Sequence, residues 1–500
     1  MRPLLPIDET RYLDVAWEMH LGGDIFHLSR NFELYTHKPP LLFWLINLVW
    51  LGTGVAEFPA RLVGPGFAVA SAVALAGLAR RLWPEDRETP AASVLALAGF
   101  TVFLFYASAT MFDTMLLFAT ILGYGLIWRI GNGEEGAPLW AGLGLVFGFG
   151  VLAKGPVILV HLLLVLLAMA LWAPRRPAAG RLIRGLGLSV AVGAGVAALW
   201  LIPALAGGDA AYRKELLWTQ SAARVSGGLA HDRPVWFLLA ALPLILYPWG
   251  WSMALWPRIV ALVRADGGAR MLALAAGSGL ILFSLISGKQ VHYLLPEYAA
   301  AALLVARGAS GLGQGVRWRS LAPAVPAVAG LAALGLGAGI IPAKGDLAAL
   351  TPVWSVMGFG AICLLVAVAG WRIGRFRGQA LLGAGTAIAI HVLIATSGLY
   401  AAYDAGQIAD RMAAAEANGI AVAGMPYNAE FNFRARLTTP VATPADAASL
   451  RSWAGAHPDG LLFAPLRRAP VSAPPMEELR YNGVTYGVWS GRDAAVSVRE

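Results

Sequence analysis

The chain has 500 residues, of which 58% are hydrophobic and only 13% charged, with a mean hydropathy of +0.64. A soluble domain carries nearer a quarter charged residues, so a soluble globular fold is excluded. The net charge of +9 lies in short arginine clusters between apolar runs, a pattern of membrane orientation and not of nucleic-acid binding. The single cysteine, Cys363, excludes an intrachain disulfide and any multi-cysteine metal site.

Long uncharged runs satisfy their backbone in lipid only as helices. The sequence therefore predicts a polytopic helical membrane protein, and its 58 glycines suit close helix packing. The opening "MRPLLPIDETRY" holds no apolar core of signal-peptide length. The segment 41–55 follows Pro39-Pro40 and carries Trp44 and Trp50, which suit a helix lying in the outer interface. Apolar runs near 60–80, 91–107, 112–129, 138–153, 155–173, 185–206, 234–256, 271–287, 291–306, 321–342, 352–371 and 380–402 give about twelve spans.

Every second loop is basic. Arg80, Arg81 and Arg87 open the series, followed by Arg129, by Arg175, Arg176, Arg181 and Arg184, and by Arg258, Arg264 and Arg270. Arg307, Arg317 and Arg319, then Arg372, Arg375 and Arg377, complete it. Placing these loops in the cytoplasm makes residues 1–58 and the tail external. From about Asp404 the apolar runs shorten. "TPADAASLRSWAGA" reads as a helix capped by Thr443 with Pro444 at its first position, and "GIAVAG", "GLLFAP" and "VTYGVWS" read as strands. The expected organisation is an external N-terminal loop with interfacial helices (1–58), a transmembrane helical domain (59–403) and a small extracytoplasmic α/β domain (404–500).

Ionisable groups at the edge of hydrocarbon are costly, and their default reading is functional. The external set comprises Asp8, Glu9, Arg11 and Tyr12 in "IDETRY", His37 and Lys38 in "THKPP", and Asp113 in "ATMFDTML". It continues with Lys154 in "LAKGP" and with Lys289, His292, Tyr293 and Glu297 in "SGKQVHYLLPEY". Lysines would neutralise a phosphate, while a carboxylate would act as base or hold a cation. The bland alternatives are snorkelling anchors for Lys38 and Lys154 and a helix cap for Asp113. Glu297 lies inside a run and reads as the partner of a neighbouring helix, and His161 and His391 read as packing or interhelical hydrogen-bond residues.

Taken in order, "DETRY", "GGDIFHLSRNFELYTHKPPLLFWL", "EFPARL", "ATMFDTML", "LAKGP" and "SGKQVHYLLPEYAAAALL" resemble the GT-C type membrane glycosyltransferases. The resemblance is to the bacterial branch of the lipid A aminoarabinose transferases and the protein O-mannosyltransferase-like enzymes, and it spans most of the chain. It implies an inverting glycosyltransferase, hexosyl or pentosyl, taking sugar from an undecaprenyl-phosphate-type carrier at the periplasmic face of the inner membrane. The acceptor would be a lipid A-like glycolipid, a glycan or a protein. Asp8 and Asp113 match the family's catalytic acidic residues; Lys38 matches the lysine that meets the donor phosphate. Glu9, Arg11, Tyr12, His37, Lys154, Lys289, His292 and Tyr293 match substrate-binding positions. The chain departs from the family at His37, where a glutamate is usual, and in "LLWTQSAARVSGG", which lacks the usual Glu-His pair. It also begins at the acidic motif, without the spanning helix that usually precedes it. These departures leave the sugar and the use of a divalent cation open. The rival readings are a transporter or lipid flippase, which would line a midplane path, and an assembly factor acting through its external tail.

Overall fold

The computed structural model describes residues 2–219, 233–310, 320–342 and 350–499. Among them, seven helices are long and apolar enough to cross a membrane: Glu57–Leu82, Asp113–Gly131, Ala137–Lys154, Ala179–Gly207, Gly267–Leu285, Val353–Ile373 and Arg375–Thr396. An eighth span is the pair Thr89–Gly99 and Thr101–Ala107, bent by 79° where Phe100 turns extended. The chain is a multi-pass membrane protein.

The difference from about twelve runs has a physical origin. Apolar composition marks a run but not where its helix breaks. The run 155–173 divides at Ala168 into Val157–Leu167 and Met169–Trp172. The run 291–306 begins as a 3₁₀ turn, Val291–Leu294, and becomes α-helical only at Glu297–Ala309. The run 234–256 contains Pro243 and Pro248 and yields the short helices Phe237–Ile245 and Trp249–Trp251. The helix Leu41–Thr53 has 13 residues. At 1.5 Å per residue it extends only about 20 Å, short of a hydrocarbon core of about 30 Å. It buries Leu42, Phe43, Ile46 and Trp50 and exposes Leu48 and Leu51.

Small residues bring the spans together. Gly144 and Gly148 on Ala137–Lys154 face Val192 and Val196 on Ala179–Gly207 so closely that a Cβ at Gly148 would lie 2.4 Å from Val196. The arginine loops gather at one end of the bundle. Trp128 Nε1 donates to Arg81 O (3.2 Å), Arg175 N to Gly131 O (3.0 Å), Arg307 pairs with Asp86, and Arg181 with Glu135. Arg317, Arg319 and the links 220–232 and 343–349 lie outside the described residues.

The tail forms a four-stranded sheet in the order Ile420–Val422, Leu461–Pro465, Val484–Ser490, Glu477–Tyr481. The first pair is parallel and the others antiparallel. "GIAVAG", "GLLFAP" and "VTYGVWS" supply three of these strands. The fourth, Glu477–Tyr481, carries Glu477, Glu478 and Arg480 and has no apolar run to announce it. The helix expected to start at Thr443 begins at Ala447. Asp446 is its cap, accepting from Ser449 N (2.7 Å) within a capping box, and this outcompetes Thr443.

The sheet domain sits on the first helix, Asp8–Gly22, and the hairpin after it. Trp17 Nε1 donates to Leu437 O (2.8 Å), and Asn31 exchanges two 2.8 Å bonds with the backbone of Val441. Phe433 stacks on Trp50 with ring centroids 5.6 Å apart, and the Arg436 guanidinium lies over Phe433 (4.0 Å) and Trp17 (5.2 Å). These contacts fix the helix that presents Asp8.

Candidate active site

The residues singled out by sequence come from five separate segments, and most meet at the bundle end opposite the arginine loops. Asp8 and Glu9 open the first helix and point to different jobs. Asp8 faces outward, its side chain 44% exposed, held by Arg11 (2.6 Å) and by the Tyr12 hydroxyl, which donates at 3.0 Å. Glu9 turns inward and is buried. Arg2 grips it at 2.5 and 2.7 Å, and the N–H groups of Leu5 (2.9 Å) and Thr110 (2.8 Å) donate to it. Burial alone would raise its carboxyl. The Arg2 hydrogen bonds and charge, with the two N–H groups, override that and hold it below its ordinary value. Glu9 thus ties the first helix to the loop ahead of Asp113, with no oxygen left for substrate; the substrate-binding expectation for it gives way to a structural one.

Tyr12 is buried against Phe43 (6.2 Å) and Phe112 (4.9 Å), each edge to face. The same aromatic surface lies beneath Lys38, whose ammonium is 6.0 Å from the Tyr12 ring and 5.6 Å from Phe112. Ring faces attract a cation at such distances. Pro39-Pro40 turns the chain from Lys38 directly into the apolar helix Leu41–Thr53, so the cation stands at the helix mouth.

Asp113 is the first residue of its helix and makes no capping bond. Its carboxylate accepts instead from Lys154 Nζ at 2.5 Å. Lys154 ends Ala137–Lys154, where Gly155 (φ +81) reverses the chain. Its ammonium also lies 4.8 Å over the Tyr293 ring. This geometry replaces both bland readings, the cap and the snorkelling anchor. His292 packs against Tyr106 (5.1 Å) and Tyr293 (4.9 Å). Burial lowers the His292 ring to about 4, with Lys154 and Lys38 pushing the same way and Asp113 and Asp8 opposing. The ring is therefore neutral at pH 7, and it lies within the field of Asp113, Lys154, Lys38 and Asp8.

His37 stands beside this group, 5.2 Å from Tyr35. Burial, then Arg11, Arg30 and Lys38, lower it to about 4 against the opposing charge of Glu215. Lys289 does not join the cluster through any described contact. It is buried, and its ammonium donates to the carbonyls of Arg233 (2.7 Å) and Pro234 (3.4 Å), so its expected place at a substrate headgroup becomes a structural one. Glu297 pairs with His161 at 2.7 Å, as its position inside a run implied.

Sequence reasoning passed over Tyr35, Tyr106, Phe112 and Glu215 at this site. It also missed Asp14 and Glu18, a buried acidic pair on the inner face of the first helix. Burial first, then the charge of Glu18, raise Asp14 well above its ordinary value; the pair accepts the N–H groups of Asn31 (3.2 Å) and Phe32 (2.9 Å). Its spacing of one helical turn was the available signal. Among the described residues no group of three or more His, Cys, Asp and Glu is arranged to hold a metal ion. Asp8 and Asp113 are each engaged by a cation, so their arrangement does not fit a metal pair. The segment "SAARVSGG" (221–228) lies outside the described residues.

This geometry sets cations and carboxylates beside the mouth of an apolar helix, an arrangement able to meet an anionic headgroup. The family model for dolichyl-phosphate-mannose-protein mannosyltransferases matches residues 37–202. The apo crystal structure of ArnT from Cupriavidus metallidurans superposes with a TM-score of 0.77 at 17% identity, covering 98% of this chain and 94% of that one. The structure of the same protein bound to undecaprenyl phosphate gives 0.74 at 18% identity, covering 97% and 94%. These likenesses show the fold, which is that of the ArnT structures.

The sequence relatives narrow the class. The undecaprenyl phosphate-alpha-4-amino-4-deoxy-L-arabinose arabinosyl transferase of Pseudomonas aeruginosa strain PAO1 is 30% identical over 378 residues, 73% of this chain and 65% of that protein. The enzyme of the same description from Pectobacterium carotovorum is 30% identical over 345 residues, 66% of this chain and 61% of that protein. The chain is thus similar to these aminoarabinose transferases over most of its own length and to the mannosyltransferase family model over residues 37–202. It spans between about half and two thirds of the length of the curated relatives it matches.

Proposed function

We propose that the chain is an inverting glycosyltransferase that moves a sugar from a polyprenyl-phosphate carrier to an envelope acceptor at the external face of the membrane. The observation that carries this reading is the convergence of Lys38, Lys154, Asp8, Asp113 and His292 beside an apolar helix mouth. The carrier is amphipathic. Its phosphate needs cations at headgroup depth, and its isoprenoid tail needs apolar surface such as Leu41–Thr53.

The leaving group is a phosphate already anionic, so it needs charge stabilisation and no acid. Lys38 supplies this, and Lys154 keeps further N–H donors beyond the one given to Asp113. The acceptor oxygen attacks the anomeric carbon opposite the phosphate. The new C–O bond forms as the sugar–phosphate bond breaks, and the bonding pair leaves with the phosphate oxygen. With a hydroxyl acceptor the proton goes to Asp8, which Tyr12 and Arg11 orient while leaving it exposed. A phosphate acceptor needs no strong base, and Asp8 then positions groups. Kinship with the aminoarabinose transferases favours a pentosyl donor and a lipid A-type acceptor. The transporter reading is not favoured, because this charged group lies at one end of the bundle.

The test is transfer by purified protein in lipid nanodiscs. Radiolabelled undecaprenyl-phosphate-aminoarabinose is offered with lipid A, and parallel reactions use mannosyl and glucosyl carriers. Label should appear in an acceptor with at least one donor. Carrier flipping without transfer from any of them would favour the flippase instead.

A further inference from the structure

Two polar side chains that the proposed reaction does not use meet between the helices. His161 Nδ1 and Glu297 Oε1 are hydrogen-bonded at 2.7 Å, and both residues are buried. An ionisable pair in apolar surroundings is expensive, and apolar residues of similar volume commonly stabilise such a place as well or better. What the pair has is position and direction. His161 follows Lys154 just past the Gly155-Pro156 break, and Glu297 follows Tyr293 just past Pro296. Lys154 and Tyr293 are themselves in contact, ammonium over ring at 4.8 Å. The two segments therefore meet twice, once in the site and once at the buried bond.

A third helix closes the arrangement. Gly267–Leu285 presents bare backbone at Gly279, where a Cβ would lie 2.0 Å from Glu297 Oε1. Phe283 of the same helix packs against both His161 (5.3 Å) and Tyr293 (6.0 Å). Glu297 Oε2 and His161 Nε2 have no hydrogen-bond partner among the described residues, so the single bond carries the polar link between the segments. Apolar packing alone would let the helix Glu297–Ala309 rotate or slide by fractions of an ångström. A hydrogen bond fixes both length and direction, and with them the turn Val291–Leu294 immediately before the helix.

We propose that His161 and Glu297 are positioning residues whose hydrogen bond holds the Tyr293 ring over the Lys154 ammonium, and so sets the cation that receives the donor phosphate. The proposal rests on the reading of Lys154 as a phosphate-site cation; its geometric half does not.

The experiment uses the full chain in nanodiscs with undecaprenyl phosphate as probe. Glu297→Ala and His161→Ala should each weaken binding by about tenfold, equivalent to about 1.4 kcal/mol. Glu297→Gln keeps an oxygen for His161 and should restore most of the affinity. Gly279→Ala leaves both partners in the sequence, yet its Cβ should displace Glu297 and reproduce the loss. In a Tyr293→Ala background Glu297→Ala should add little, because both act through one contact. Wild-type affinity in folded Glu297→Ala, or losses that add in full, would overturn the proposal. An electron cryomicroscopy structure of Glu297→Ala, or of Gly279→Ala if the former does not fold, reads the geometry directly. Displacement of the Tyr293 ring from Lys154 supports the positioning role and an unmoved ring refutes it. Wild-type protein that does not bind undecaprenyl phosphate would instead fault the functional reading.

Discussion

Lys154 and Asp113 approach to 2.5 Å from the ends of two different spanning helices, with their side chains 10% and 3% exposed. Asp8 and Arg11 pair at 2.6 Å, but Asp8 is 44% exposed. The two acids therefore differ in what their loss would do. Removing one partner of a buried pair costs about 3–5 kcal/mol, so Asp113→Asn should lower thermal stability and activity together. Asp8→Asn should leave the unfolding temperature nearly unchanged and, with a hydroxyl acceptor, slow single-turnover transfer by about a hundredfold or more. Near-normal turnover of Asp8→Asn would make a phosphate the better acceptor.

Acid should destabilise the protein through its histidines. His37 and His292 titrate near their ordinary value of 6.5 in the unfolded chain and at about 4 in the fold. Between these values the unfolded chain binds more protons, so stability rises with pH across the window. Their contribution is complete above about pH 6.5 and is lost progressively toward pH 4. Thermal unfolding from pH 7 to 4.5 should show the fall, and His292→Gln should flatten part of it. An unchanged pH dependence in that variant would show that His292 does not titrate as its surroundings imply.

Lys289 and Glu9 should behave as structural groups. Lys289→Met strands the carbonyls of Arg233 and Pro234, and Glu9→Ala strands Arg2 and the N–H of Thr110. Leaving a buried group unsatisfied costs about 1–3 kcal/mol, and more where it is charged. Thermal-shift measurements should show these losses, while donor KM in the surviving folded fraction stays close to wild type. A large KM effect without destabilisation would return either residue to the substrate site.

Orientation is open to a chemical test. Ser452 is exposed on the sheet domain, and the native Cys363 is buried. Ser452→Cys should react with an impermeant maleimide in intact spheroplasts. Labelling only after lysis would put the tail, and with it the site, on the cytoplasmic side.

The alternation of basic loops and the order of the polar motifs made the membrane class and most members of the candidate cluster legible in the sequence. The lysine of "THKPP" and the acid of "ATMFDTML" were visible because charge is rare in apolar sequence. What stayed hidden was pairing. Nothing local to Lys154 says that Asp113 will take its charge, or that Lys289 will turn inward onto two carbonyls, since both contacts depend on how distant segments pack. Helix breaks at Phe100 and Ala168 were invisible for a related reason, as they fall inside continuous apolar runs. Nor does the sequence separate the surroundings of Glu9 from those of Asp8: the two adjoin in the chain, while successive side chains on a helix point about 100° apart.

We propose that this cluster recognises a lipid phosphate, with Lys38 as its principal cation. The most direct measurement compares binding of undecaprenyl phosphate with that of undecaprenol, the same tail without the charge, to wild-type protein and to Lys38→Ala. Wild type should prefer the phosphate by about tenfold or more, a difference of about 1.4 kcal/mol or greater. The preference should largely disappear in Lys38→Ala while undecaprenol binding stays the same. An equal preference in both proteins would contradict the account.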